Sequence, residues 1–176
     1  MNNFNLLVST SRFNEVNAKA ELWFLLLICG DKYPIISSIE FSGLITAFTT
    51  LNAKDVIAKV KEILEKDPNF FQYILKIIPI DYVCETNVVT IKEVIQKNHE
   101  EYINHEESFK ILLKRRKNEN IDRNSFIESI AKLIDNKVDL TNPDKVISIE
   151  VLGNKCGISF LKSDQIISSN SKTVKN

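Results

Sequence analysis

Val138–Val151 reads VDLTNPDKVISIEV, and the chain continues through Leu152, Gly153-Asn154 and Gly157 into Ile158–Leu161 (ISFL). Asn142-Pro143-Asp144 is turn chemistry: Asn and Asp bond their own backbone, and Pro presets a turn φ. The β-branched run Val146–Leu152 that follows reads as a strand. Gly153-Asn154 and Gly157 bracket a tight hairpin into Ile158–Leu161, which closes a sheet.

Upstream of this stretch, Ser125 and Glu128 have the S-x-x-E form of a capping box. Phe126, Ile127, Ile130, Ala131, Leu133 and Ile134 give the apolar stripe of a helix. Before it lies a polar loop, Arg115–Arg123. Before the loop, Ser108–Lys114 (SFKILLK) alternates like a strand, with Phe109, Ile111 and Leu113 on one face and Lys110, Leu112 and Lys114 on the other. A further helix starts near Asn87, carries Val88, Ile91, Val94, Ile95 and Tyr102, and frays in the charged stretch Glu100–Glu107. Pro79 cannot donate to a ladder, so Pro79–Thr86 (PIDYVCET) reads as the connection to a separate N-terminal half.

That first half predicts a strand at Phe4–Thr10 and a helix from about Arg12 to Cys29. A hairpin follows, made of Ile35–Phe41 and Leu44–Leu51 around Ser42-Gly43. Next come a helix capped by Asn52 and ended by Asp67-Pro68, and a strand at Phe70–Ile78. The order βαββαβ is the ferredoxin-like arrangement, an antiparallel sheet with both helices on one face. The fold class is therefore α+β. The expected domains are residues 1–80 and 85–165, with a disordered tail at 166–176 rich in Ser, Asn and Lys.

In 176 residues, 44% are hydrophobic and 26% charged, which is enough to build a core. Lys plus Arg and Asp plus Glu both number 23, so any basic surface must be local. Cys29, Cys84 and Cys156 are odd in number and far apart, which argues against a disulfide framework or a zinc site and for a reducing, cytoplasmic setting. The apolar run Leu22–Cys29 (LWFLLLIC) is too short to span a bilayer and lacks a cleavage site, so it reads as a buried helix and no membrane partner is expected.

The one dense cluster of a single sign is Lys110–Arg123 (KILLKRRKNENIDR). Lys110, Lys114, Arg115, Arg116, Lys117 and Arg123 stand against Glu119 and Asp122, a local net of +4. Phosphates are drawn to such a cluster, and Arg adds a rigid fork of donors and a stacking plane. Charge alone leaves RNA contact and a solvated loop both open. Enzyme templates fail: four glycines cannot write a phosphate loop or a dinucleotide fingerprint, so no cofactor is expected. His99 and His105 sit six apart in an acidic stretch, a spacing that puts them on different helix faces. No serine has a nucleophile-elbow context, and the adjacent pairs Glu100-Glu101 and Glu106-Glu107 do not face each other. No catalytic residue and no metal ligand is assigned.

The second half resembles the THUMP domain. The resemblance is carried by Phe109–Lys117 (FKILLKRRK), the helix Asn124–Ile134, above all VDLTNPDKVISIEV, and Gly157-Ile158-Ser159. Lys76–Ile80 (KIIPI) is similar to the basic, apolar and Pro junction that precedes THUMP domains. A ferredoxin-like first half is the usual companion, so the resemblance covers nearly the whole chain. Leu112 departs from it, standing where some relatives carry another basic side chain.

The resemblance implies recognition of the acceptor stem and single-stranded 3′ end of tRNA, with the chemistry performed by a separate catalytic domain. It implies a non-catalytic adaptor whose partner is an RNA cytidine acetyltransferase making 4-acetylcytidine. A thiouridine synthetase or an RNA methyltransferase is the alternative partner. A structural subunit whose basic loop meets an acidic protein is a reading from another class. The expected RNA-binding residues are Lys110, Lys114, Arg115, Arg116, Lys117 and Arg123.

Overall fold

A computed structural model describes residues 3–117 and 122–168. The described residues divide into two compact units, one of residues 3–79 with 165–168 and one within Ile80–Asp164.

The first unit runs β1 (Leu6–Thr10), α1 (Glu15–Cys29), β2 (Ile35–Ser38), β3 (Leu44–Phe48), α2 (Ala53–Lys66) and β4 (Ile74–Pro79). Its sheet is ordered β2-β3-β1-β4 and continues onto a short ninth strand, β9 (Ile167–Ser168). All of these pairs are antiparallel. This is the ferredoxin-like arrangement. Leu6 and Val8, Ile45 and Ala47, and Ile74 and Ile77 form one core with Leu22 and Leu26 of α1 and Val56, Ile57 and Val60 of α2, so both helices cover one face.

Local chemistry explains the boundaries. Asn52 caps α2 by accepting from Lys54 and Asp55 N–H, as the sequence predicts. Gly30, at φ 103°, ends α1 with its N–H turned back on Leu26 and Leu27. Gly43 is required at the β3 entry: at φ 78° it would place an added Cβ 2.9 Å from the Thr10 carbonyl.

Three expectations are corrected here. The strand predicted at Phe70–Ile78 begins only at Ile74. Phe70 and Phe71 instead pack edge to face, at 5.4 Å between ring centroids, while the Glu21 carboxylate of α1 takes the N–H groups of Gln72, Tyr73 and Ile74 at 2.7, 3.0 and 2.7 Å. The tail expected to be disordered from residue 166 returns to the sheet as β9, because buried Ile167 completes the core beside β4. Residues 169–176 lie outside the described ones. The apolar run of α1 is buried on one side only: Leu22, Leu25, Leu26 and Cys29 are inside, while Trp23, Phe24 and Ile28 are exposed.

The second unit runs β5 (Tyr82–Glu85), α3 (Val88–Tyr102), β6 (Phe109–Arg116), α4 (Arg123–Ala131), β7 (Lys145–Leu152) and β8 (Lys155–Leu161). The sheet order is β5-β8-β7-β6, with β6 parallel to β7 and the other pairs antiparallel. It is a small mixed sheet, whose core joins Phe109, Ile111 and Leu113 to Ile147, Ile149 and Val151 and to α3 and α4. The connection read at Pro79–Thr86 contains strand β5. Tyr82 supplies one reason, stacking edge to face on Tyr102 and Phe160 with centroids 6.3 Å away. The capping box read at Ser125 is also corrected: Asp122 is the N-cap, accepting from Ser125 N–H at 2.9 Å. No described helix is long and apolar enough to cross a membrane.

The Glu21 carboxylate ties α1 to the approach to β4 through three backbone N–H groups. Glu21→Ala should destabilise the protein by about 2 kcal/mol, the scale of a hydrogen bond to a charged group. Glu21→Gln, which keeps one acceptor oxygen, should lose less. Urea unfolding of the three proteins checks this order; equal midpoints for wild type and Glu21→Ala would contradict it.

Candidate nucleic-acid interface

The VDLTNPD stretch holds the start of β6. Asp144 accepts from Ser108 N–H at 2.8 Å and from its hydroxyl at 2.6 Å, while Asp144 N–H returns a bond to Ser108 Oγ at 3.1 Å. Lys145 N–H donates to the Ser108 carbonyl at 3.0 Å. One residue on, Phe109 N–H donates to Lys137 and its carbonyl accepts from Asp139 N–H, forming a parallel bridge to Val138. The Asp139 carboxylate closes the turn itself, accepting from Thr141 and Asn142 N–H at 2.9 Å each.

From this anchor β6 alternates as the sequence predicts. Phe109, Ile111 and Leu113 are buried; Lys110 and Leu112, on the other face, are half-buried. After Leu113 the alternation in burial stops. Lys114, Arg115, Arg116 and Lys117 are all exposed, because the strand has run past the core. Arg115 and Arg116 alternate to opposite faces of the strand, and both are exposed. The Arg116 carbonyl accepts from Gly153 N–H at 3.1 Å, pinning the strand end to the β7–β8 turn. Lys117 turns the chain away at φ 50°.

The six predicted residues fall into three groups. Lys114 to Lys117 form one continuous basic strip. Arg123, the first residue of α4, stands beside it but donates Nη1 to the Leu113 carbonyl at 3.0 Å, so part of its fork ties helix to strand. Lys110 lies four residues back along β6, about 13 Å from Lys114 at the rise of a strand. Two acids temper the strip. Glu150, buried on β7, lies 3.9 Å from Lys114 Nζ. Asp122 is held below the usual carboxylate range by its bond from Ser125 N–H, with the Arg115 charge contributing. Residues 118–121 of the predicted loop lie outside the described ones.

One residue was missed. Lys155 pairs with Leu152, which pairs with Arg116, so it shares the Arg116 face two strands away, about 10 Å at sheet spacing. The Gly153-Asn154 turn was the available signal, since the residue leaving that hairpin lies at the same end of the sheet as the end of β7.

Elsewhere the structure alters two readings. His99 and His105 line one surface cleft of about 430 Å³, with Glu100 and Asp135, because α3 ends at Tyr102 and the chain bends back. Among the described residues no cluster of three or more His, Cys, Asp or Glu side chains could hold a metal. Cys84 and Cys156, distant in sequence, are direct partners across β5 and β8. Both are free thiols, and the hydrogen bond between them and then burial push Cys156 up.

Residues 85–161 match the THUMP domain model, so the second unit carries a THUMP domain. Over 110 residues the chain is 27% identical to the THUMP domain-containing protein 1 homolog of Drosophila melanogaster, covering 58% of this chain and 33% of that protein. Over 96 residues it is 28% identical to THUMP domain-containing protein 1 of Mus musculus, covering 51% and 27%. The chain thus spans about a third or less of these relatives' length. Among solved structures, a crystal structure from Pyrococcus horikoshii Ot3 shares the fold over 91% of this chain and 55% of that one, at a TM-score of 0.65 and 19% identity. A 4-thiouridine synthetase in complex with RNA and bound ATP does so over 94% and 42%, at 0.59 and 15%.

The Ser108 bonds hold the Asp144 carboxyl below its ordinary range. A carboxylate lowered in the folded state adds stability above its unfolded pKa and loses it as pH falls through the folded one. Asp144→Asn should therefore lower the melting temperature at neutral pH. The gap to wild type should close as the pH falls below the ordinary carboxylate range, where the native carboxylate takes up its proton. Parallel melting curves across that range would contradict the assignment.

Proposed function

We propose that this chain binds tRNA through the basic end of β6 and delivers it to a separate modification enzyme. The observation that carries the reading is the run Lys114–Lys117, exposed without interruption at the edge of a THUMP domain, with Lys155 on the same sheet end. Guanidinium and ammonium groups there can pair with phosphates along a strand, and the Arg planes can stack on bases that a duplex would hide. The 3′ end of tRNA offers both, as a charged backbone with unstacked bases.

The role is non-catalytic in this proposal, and the partner is an RNA cytidine acetyltransferase forming 4-acetylcytidine in tRNA. Two things support that choice: the VDLTNPDKVISIEV stretch, and the similarity to relatives bearing the THUMP domain-containing protein 1 name. A 4-thiouridine synthetase or methyltransferase partner is the second reading, favoured by the shared fold with a thiouridine synthetase–RNA complex.

Filter binding at fixed salt, with intact tRNA and tRNA trimmed of its 3′ single strand, tests the proposal. Base stacking is worth about 1–3 kcal/mol per base, so trimming should weaken binding about tenfold or more. Equal affinity for intact tRNA, trimmed tRNA and an arbitrary duplex would reduce the site to a generic electrostatic contact.

A further inference from the structure

Helix α1 is apolar on both sides. Ala18, Leu22, Leu25, Leu26 and Cys29 face the core. At 100° per residue, Val16, Ala20, Trp23, Phe24, Leu27 and Ile28 fall on the opposite side within an arc of about 140°. Asn17 is the one polar side chain within that arc; Lys19 and Glu21 lie outside it. Val16 is 74% exposed, Trp23 50%, Phe24 54% and Ile28 50%. Phe24 stacks on Phe70 at 6.5 Å, and Phe70 meets Phe71 edge to face at 5.4 Å, so the surface continues onto the loop before β4. A helix apolar all round is ordinarily buried all round.

We propose that this outward face of α1 is the interface of a two-fold dimer of the chain. Three observations favour a second copy. The arc holds no charge, so it can meet itself across a two-fold axis with no like-charged pair, as an isologous interface requires. It also offers nothing to a phosphate backbone. Homodimer interfaces are the most apolar class, whereas a transient partner's surface is as polar as the rest of the protein.

Trp23 and Phe24, each about half exposed, together leave about 150–250 Å² in water, given the 150–250 Å² that such a side chain can bury. With Val16 and Ile28 on the same arc, two copies make a small interface at the low end of specific association. The inference is independent of the RNA reading.

Trp23 is the only tryptophan in the chain, so its emission reports directly on this face. Light scattering at tens of micromolar should give twice the 20.2 kDa chain mass for wild type, and the single mass for Val16→Glu with Trp23→Glu. Both substitutions are exposed and should leave the circular dichroism unchanged. Val16→Glu alone, which keeps the reporter, should weaken the dimer and shift Trp23 emission to the red at a protein concentration where wild type remains blue. Wild type at the single mass throughout would overturn the proposal, as would a double variant that still dimerises. A monomer whose Trp23 emission moves to the blue on phospholipid vesicles would assign the face to a membrane surface instead.

Discussion

Ser108 gives both its N–H and its hydroxyl to the Asp144 carboxylate, and this contact fixes where β6 lies against β7. The two strands are parallel, so no hairpin sets their register; it must come from the ends of the α4 crossover. Asp144 sets it at one end, and Arg123, bonded to the Leu113 carbonyl, ties the crossover back near the other. A slip of one residue would turn Phe109, Ile111 and Leu113 out of the core and fold their neighbours in. With the register held, Leu113 is the last side chain of the strand that the core takes, and the four cations after it are exposed.

That arrangement concentrates charge in a protein whose net charge is zero. At ordinary salt a charge is felt over roughly 10 Å, so only cations packed this closely act together on a phosphate chain. Lys114 shares its charge with buried Glu150, and Asp122 stands near Arg115. The anchor and the strip occupy opposite ends of one strand, which is why a motif with no basic residue in its turn can govern a basic surface.

Much of this was legible before any coordinates. Periodicity located all four helices, because Ile91 with Ile95 and Val56 with Val60 repeat at helical spacing on faces that do become buried. The run SFKILLK announced its own strand, although β6 continues through Arg115 and Arg116, which the sequence reads as the start of a loop. What escaped depends on partners distant in sequence. Tyr82–Glu85 is a strand only because β8 lies beside it, and PIDYVCET alone looks like a link. Ile167 reads as part of a polar tail until β4 offers it an edge. Ser125 has the spacing of a cap, but Asp122 is the residue whose extended φ and ψ suit the position. The exposed half of α1 was hidden by composition, since apolar periodicity says that a face is greasy and not which element covers it.

The central claim is that the exposed end of β6 is where nucleic acid touches this protein, and the salt dependence of tRNA binding with Arg115→Ala and Arg116→Ala tests it most directly. Each lost phosphate contact lowers the slope of log affinity against log salt by about 0.7–0.9, so losing both should lower it by about 1.4–1.8 and weaken binding about tenfold or more. Lys32→Ala with Lys66→Ala, exposed cations of the first unit, is the control. Lys59 is unsuitable because its Nζ holds the Cys29 carbonyl at 2.8 Å. A reduced slope in the arginine pair with an unchanged control is the predicted result. An unchanged slope in the arginine pair, with a loss in the control, would move the contact to the ferredoxin-like unit and contradict the account.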